Sequence, residues 1–358
     1  MPDQAGRPRS GFGGRRATRA VGLVVAVLLG FSLPVVGATV AVAQEPDAPA
    51  PAVRCQITDP ALAEISGLVD LGERMLVMND GGDALSVSVL DAGCQVLETR
   101  TAAVDPYDPE DLALGADGTL WLADAGDNNS VRSTVALLAL RPDGSAAVHR
   151  LSYPDGAHDS EALLLAPDGT PYLVTKDVLG SSGVYRPTGP LSAEAAVPME
   201  RVATVNMTLT GTPGGPVGRA GQLLVTGGAV AGDGHALALR TYTDAYVWPL
   251  SGSDVVGALA GTPVRVPLPE SPQGEAISFT GDDAQLVIAS EGVPSEVVVV
   301  PISAVTPASA AAPADGPVPS LTELTSSGRS PVTSALIAAA VATLVVWLVP
   351  KLRRRPRS

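Results

Sequence analysis

Lysine is almost missing from this 358-residue chain, which holds only Lys176 and Lys351. Aromatic residues are scarce as well, with three Trp, three Phe and six Tyr, so a core has to be packed from Val, Leu and Ala. Two cysteines, Cys55 and Cys94, are too few ligands for a thiolate metal centre. The chain has no Gly-x-Ser-x-Gly elbow and no glycine loop followed by Lys-Ser/Thr, which removes two common catalytic frames. Its three histidines, His149, His158 and His235, are scattered, and only His158, in Gly156-Ala157-His158-Asp159-Ser160-Glu161, lies close to other polar groups of interest as a general base. A helical period of 3.6 is absent from the long middle of the chain.

Charge is present but unevenly placed. Arg15, Arg16 and Arg19 precede an apolar run from Val21 to Phe31, and Ala41-Val42-Ala43 offers a small-residue cleavage pattern, so residues 1–44 read as an export signal. Residues 331–350 carry no charge and are followed by a basic tail at 351–358, the pattern of a single membrane-spanning helix with its tail in the cytoplasm. Of 23 basic and 37 acidic residues, five bases and one acid fall in the leader and five bases in the tail, which leaves 13 bases against 36 acids between them, a balance of −23. A segment so acidic repels nucleic acid and anionic lipid and suits cations. Its two cysteines, 39 positions apart, then lie where oxidation is the default, and Cys55–Cys94 is the expected disulfide.

Between the two ends a phrase recurs: an anchor residue, an apolar run, a turn of the Asp-Gly type, a second apolar run and a polar cluster. It is anchored at Ser66, Glu110, Glu161, Thr226 and Glu275, with gaps of 44, 51, 65 and 49 residues. Each copy holds about four strands, the signature of a β-propeller. The 65-residue gap contains the Gly/Pro loop from Thr210 to Gly218, and its excess is too short for another blade, so five blades are expected, with six as the alternative. In the second copy the strands are expected at Asp111–Gly115, Leu120–Asp124, Thr134–Leu140 and Ala146–Ser152. After the last anchor only three strands remain, and Val53–Thr58 is the expected fourth, closing the ring from the other end of the chain. The organisation read from sequence is therefore a signal peptide at 1–44, an extracytoplasmic all-β propeller at 45–303, an Ala/Pro-rich stalk at 304–330, a transmembrane helix at 331–350 and a basic cytoplasmic tail at 351–358.

Antiparallel first and second strands put the start of one beside the end of the other. Repeated around a ring, this gathers Asn79, Asp80, Asp83, Glu110, Asp124, Asp127, Asn128, Glu161, Lys176, Asp177, Arg240, Asp244, Glu275 and Glu291 on one rim. A ring of carboxylates suits a hard cation, Ca²⁺ first, with Asp80, Glu110, Asp124, Asp127, Glu161 and Glu275 as candidate ligands. The same groups can instead bind backbone N–H groups of the adjacent blade. Glu110, Glu161, Lys176, Arg240 and Glu275 are candidates for direct catalysis, since an acid-and-base rim can polarise an ester.

The ordered set Glu64-Ile65-Ser66-Gly67-Leu68, Pro109-Glu110-Asp111-Leu112-Ala113, Asp124-Ala125-Gly126-Asp127-Asn128, Asp159-Ser160-Glu161-Ala162-Leu163, Ala238-Leu239-Arg240-Thr241-Tyr242 and Gln273-Gly274-Glu275-Ala276-Ile277 resembles a group of exported, membrane-anchored bacterial β-propeller proteins with no assigned reaction. The resemblance covers roughly Cys55 to Ile302 and implies fold and location. More distantly the pattern is similar to phytase-like and esterase-like propellers, although the shortage of lysine argues against phytate. Two functions follow as expectations: a module that binds a surface ligand or protein, or a Ca²⁺-dependent hydrolase of a phosphoester, ester or lactone. Nucleic acid is not an expected partner.

Overall fold

The structure is a computed structural model, and it describes residues 49–302. The leader, the stalk, the predicted membrane span and the basic tail lie outside the described residues. Among the described residues no helix is long and apolar enough to cross a membrane.

Those residues form an all-β fold of the propeller kind. The chain runs β1 (Ala52–Ile57), then β2 (Ile65–Asp70), β3 (Arg74–Asn79), β4 (Leu85–Asp91) and β5 (Val96–Ala102), which pair in that order as one antiparallel sheet. Next come β6 (Pro109–Leu114), β7 (Leu120–Asp124), β8 (Val135–Leu140) and β9 (Ala146–Ser152), and then β10 (Ser160–Leu165), β11 (Pro171–Thr175), β12 (Ser181–Pro187) and β13 (Val197–Asn206). These two antiparallel runs share an eight-stranded sheet, joined by parallel pairing of β13 with β9 through Val197–Leu151 and Pro198–Ser152. A further sheet is β14 (Val225–Val230), β15 (Ala236–Thr241), β16 (Asp244–Pro249) and β17 (Val264–Pro267), with a five-residue helix, Val255–Leu259, in its last connection. The last holds β18 (Gly274–Phe279), β19 (Gln285–Ser290), β20 (Ser295–Pro301) and β1.

The last sheet thus takes its outer strand from the front of the chain: Ala52 to Ile57 pairs antiparallel with Ser295 to Val299 of β20. The Cys55–Cys94 disulfide, with Cα atoms 5.8 Å apart, ties this strand to the turn between β4 and β5. Arg54 adds a two-pronged bond to the buried Asp70 carboxylate at 2.7 and 3.0 Å. The sheet of β14 begins at Val225, after a 3-10 turn at Gly218–Gln222.

The first strands β2, β6, β10, β14 and β18 pack against one another in a closed circuit, each on the next. Between sheets the core is aliphatic: Leu76, Met78 and Val87 meet Leu112, Leu122 and Leu138 across the first interface. Tight turns separate first from second strands. At Asp117-Gly118 the carboxylate accepts the Thr119 N–H at 3.0 Å, while Gly118 takes φ 83°, a left-handed conformation that costs glycine little. Asp111 lies at the centre of the circuit, fully buried. Its Oδ1 accepts the Leu112 N–H at 2.8 Å, and its Oδ2 accepts those of Leu163 at 2.7 Å and Gly228 at 3.0 Å. One carboxylate therefore holds three inner strands together, and burial pushes it up to about 8 in spite of those bonds.

Candidate functional site

Each inner strand is irregular at one point, and that point is the anchor residue. The pairing register slips between Ile65 and Gly67, Pro109 and Asp111, Ser160 and Ala162, Val225 and Gly227, and Gly274 and Ile277. The residues inside these slips include Ser66, Glu110, Glu161, Thr226 and Glu275, all buried. A bulge breaks the two-residue alternation and re-aims one side chain out of the pleat. What happens next depends on side-chain length. Ser66 Oγ donates to the Glu110 carbonyl and Thr226 Oγ1 to the Gly274 carbonyl, so the short anchors tie the next inner strand. The three glutamates reach further, into the channel mouth.

The residue two positions before the anchor is tied to the end of the second strand. Asp80 N–H donates to the Glu64 carbonyl, Gly126 to Asp108, Lys176 to Asp159 and Glu291 to Gln273, all at 2.9–3.0 Å. Glu110, Glu161 and Glu275 are therefore each accompanied by a second residue of the anchor segment, Asp108, Asp159 or Gln273, and by a partner from the strand end.

One group gathers Glu110, Asp159 and Glu161, whose carboxylate oxygens lie within 4.8 Å of one another. Two oxygens on one Ca²⁺ can stand no farther apart than twice a Ca–O distance of about 2.4 Å, so the three carboxylates are close enough to share one ion. Glu161 Oε1 accepts from Lys176 Nζ at 2.7 Å, whereas its Oε2 is buried and without a hydrogen-bond partner. Asp159 Oδ1 also accepts the Asp127 N–H at 2.7 Å, which fixes its orientation. Gly126 makes the approach possible, because a Cβ there would overlap Glu110 Oε1 and stand 2.7 Å from Asp108 Oδ2. Burial and then the neighbouring Glu161 raise Glu110 well above the usual carboxylate range. Burial lifts Glu161 to about 8 against the pull of Lys176, and burial followed by the Asp159 charge lifts Asp108 to about 6. Burial opposes the charge on Lys176, but the adjacent Glu161 carboxylate outweighs it and raises the ammonium.

A second group stands across Tyr242. Lys176 Nζ lies 5.4 Å from the centre of the Tyr242 ring, and Tyr242 Oη donates to Glu275 Oε1 at 3.3 Å. Gln273 Nε2 donates to Glu291 Oε1 at 2.6 Å and to Glu275 Oε1 at 3.3 Å. Burial and the Glu275 charge push Glu291 up to about 9, so its carboxyl is protonated at neutral pH. Asp80 is raised to about 7 by burial and by Glu64 and Glu275.

The sequence places Asp124 and Asp127 on the rim, and here both serve Arg132: Asp124 Oδ1 accepts Arg132 Nη2 at 3.0 Å and Asp127 Oδ2 accepts the Arg132 N–H at 2.7 Å. Arg240 is fully buried, with Nη1 bonded to the carbonyls of Ala276 at 2.7 Å and Ala289 at 3.1 Å and Nη2 without a hydrogen-bond partner. Asp244 accepts Thr210 Oγ1 and Thr212 Oγ1, each at 2.8 Å, and Arg265 Nη1 at 2.6 Å. His158 bonds Asp155 at 2.9 Å and lies 3.1 Å from Tyr185 Oη. Asp108, Asp159, Gln273 and Tyr242 were not among the sequence candidates. The signal for three of them is a polar residue two before the anchor in Asp108-Pro109-Glu110, Asp159-Ser160-Glu161 and Gln273-Gly274-Glu275.

No protein-family model matches the chain, and no curated protein matches it in sequence. Among solved structures it is similar to a gluconolactonase from Xanthomonas campestris at 20% identity and a TM-score of 0.39, over 67% of this chain and 73% of that one. It is similar to the soluble aldose sugar dehydrogenase of Escherichia coli at 11% and 0.38, over 72% and 99%, and to virginiamycin B lyase from Staphylococcus aureus at 14% and 0.34, over 68% of each. These likenesses are remote, and none bears on the site.

Proposed function

We propose that this protein is an extracytoplasmic, membrane-tethered propeller of five blades that binds its ligand through a divalent cation, Ca²⁺ by ligand chemistry, seated on Glu110, Asp159 and Glu161. The five-blade reading takes the eight-stranded sheet as two blades joined at their outer edges. Export from residues 1–44 and anchoring by residues 331–350 follow from the charge pattern, and the Cys55–Cys94 disulfide fits an oxidising compartment.

One observation carries the cation: Glu161 Oε2, buried and unpartnered, in a group with Glu110 and Asp159. Carboxylates outnumber cations at this mouth, and uncompensated buried charge is costly. Such a group either holds protons or takes a hard cation, and an all-carboxylate ligand set suits Ca²⁺. The test is calorimetric titration of the full chain with Ca²⁺ and again with Glu110→Gln. Saturable binding weakened at least tenfold by the substitution is expected, and a wild-type chain that takes up no Ca²⁺ refutes the proposal.

A second reading makes the site a hydrolase of an ester, lactone or phosphoester. Glu291 favours it, since a carboxyl that Gln273 orients at 2.6 Å and that burial and Glu275 raise above the usual range can deliver a proton to a leaving oxygen. Lys176 would then stabilise the developing oxyanion. Turnover of generic esters and phosphoesters that disappears in Glu291→Gln supports this reading, and none in the wild type rejects it.

A further inference from the structure

The loop from β9 to β10 ends on Asp159, and it is the place where three aromatic rings meet. Tyr153, His158 and Tyr185 stand with their ring centres 4.9, 5.0 and 5.2 Å apart, Tyr153 edge-on to both of the others. Tyr153 and His158 belong to the loop, whereas Tyr185 comes from β12 and packs in the core with Leu137, Leu163 and Leu173. Gly183, two positions earlier on β12, clears the way for that ring, because a Cβ there would stand 2.6 Å from it.

Apolar packing accounts for the rings but not for where the hydroxyls go. A tyrosine hydroxyl in a core needs a partner, and both of these find it at the loop. Tyr185 Oη donates to Asp155 Oδ2 at 2.8 Å and lies 3.1 Å from His158 Nε2, which is itself 2.9 Å from Asp155 Oδ1. Tyr153 Oη stands 2.6 Å from Ser160 Oγ. The two chain neighbours of Asp159 are therefore each held by a tyrosine, His158 by Tyr185 and Ser160 by Tyr153.

Of the three carboxylates in the group, Asp159 is the one that needs holding. Glu110 lies within β6 and Glu161 within β10, each on a paired inner strand, whereas Asp159 precedes β10 and belongs to no strand. A side chain on a connecting loop has to be ordered when its ligand arrives, and that cost is subtracted from affinity. We propose that Tyr153 and Tyr185 are positioning residues of the cation site, which hold Asp159 against Glu110 and Glu161 before the ion binds. This rests on the cation reading above. Neither tyrosine is a ligand; each acts through a neighbour of Asp159, in the way that outer groups orient the ligands of a metal.

Phenylalanine at both positions removes the hydroxyls and keeps the rings. In calorimetric titration of the full chain with Ca²⁺, Tyr153→Phe combined with Tyr185→Phe is expected to bind about tenfold more weakly than the wild type. Tb³⁺ in place of Ca²⁺ supplies a second readout, since its luminescence decay in H₂O and in D₂O counts the waters on the ion. The double variant should carry one more water, in the position that Asp159 gives up. Asp159→Asn should lower Ca²⁺ affinity as well, and adding the two phenylalanines to it should change little further, because the hydroxyls act through that carboxylate. Tyr246 on β16 has a buried hydroxyl without a partner, and Tyr246→Phe leaves affinity and water count as they are. Wild-type affinity in the double variant, an unchanged water count, or a loss that persists in full on the Asp159→Asn background overturns the positioning role and leaves the cation site standing. A wild-type chain that takes up no Ca²⁺ overturns both.

Discussion

Gly126 offers the sharpest test of the cation site, because a single methyl group placed there acts on Glu110 without altering any charge. Its backbone is outside the left-handed region, so alanine meets no conformational penalty of its own. The added Cβ would overlap Glu110 Oε1 and lie 2.7 Å from Asp108 Oδ2. Glu110 then has to withdraw by about 1 Å, against a tolerance of about 0.2 Å for metal–ligand distances. Gly126→Ala is therefore expected to weaken Ca²⁺ binding by at least tenfold, about 1.4 kcal/mol. Crowding a packed site also costs stability, about 1–3 kcal/mol. Calorimetric titration reads the first and thermal melting the second. Adding Glu110→Asp, one methylene shorter, should relieve the clash and recover part of the lost stability, while affinity stays low because the shorter carboxylate falls short. A folded Gly126→Ala chain with wild-type Ca²⁺ affinity would show that Glu110 is not a ligand in this pose, and the argument from the bulges would fail with it.

Other perturbations bear on different parts of the structure. Glu161 at about 8, Glu291 at about 9 and Asp80 at about 7 bind protons in the fold that the unfolded chain releases near pH 4. Between those limits the folded state holds more protons, so stability without cation falls as pH rises from 5 to 8. Melting measured across that range should show the decline, and millimolar Ca²⁺ should flatten it; a flat profile without Ca²⁺ contradicts the uncompensated charge. Replacing both cysteines by serine opens a loop of 39 positions and is expected to lower stability by about 4 kcal/mol in the chain-entropy account, read by denaturant titration. Asp111→Ala strands the N–H groups of Leu112, Leu163 and Gly228 and should cost at least about 3 kcal/mol, with the inner strands losing amide-exchange protection first.

Much of the site is written in the chain as a spacing rather than as a motif. The five anchors mark the inner strands because an apolar run, a turn and a second run recur behind each, and antiparallel pairing then brings the two ends of every phrase together. What spacing does not convey is the direction of a side chain at a bulge. Asp159, not among the sequence candidates, completes the group with Glu110 and Glu161, next to the register slip between Ser160 and Ala162. Arg240 stands at the strand end that the spacing assigns it, yet it is fully buried, with Nε and Nη1 donating to the carbonyls of Thr241, Ala276 and Ala289. Lys176 and Glu161 were both on the predicted rim, and their pairing at 2.7 Å depends on how far each side chain extends, which the spacing leaves open.

By itself the sequence determined the all-β class, the recurring four-strand phrase, the partner strand for β20 and the pairing of its two cysteines. These depend on local periodicity, turn chemistry and the number of possible connectivities, all readable along one dimension. The tertiary structure alone decided which carboxylates share a site. That outcome depends on where bulges fall, on which anchors are short enough to be spent on a neighbouring carbonyl, and on Gly126 leaving room for Glu110. Charge in a low-dielectric mouth responds to separations of a few ångströms, and those are set only when the inner strands close on one another.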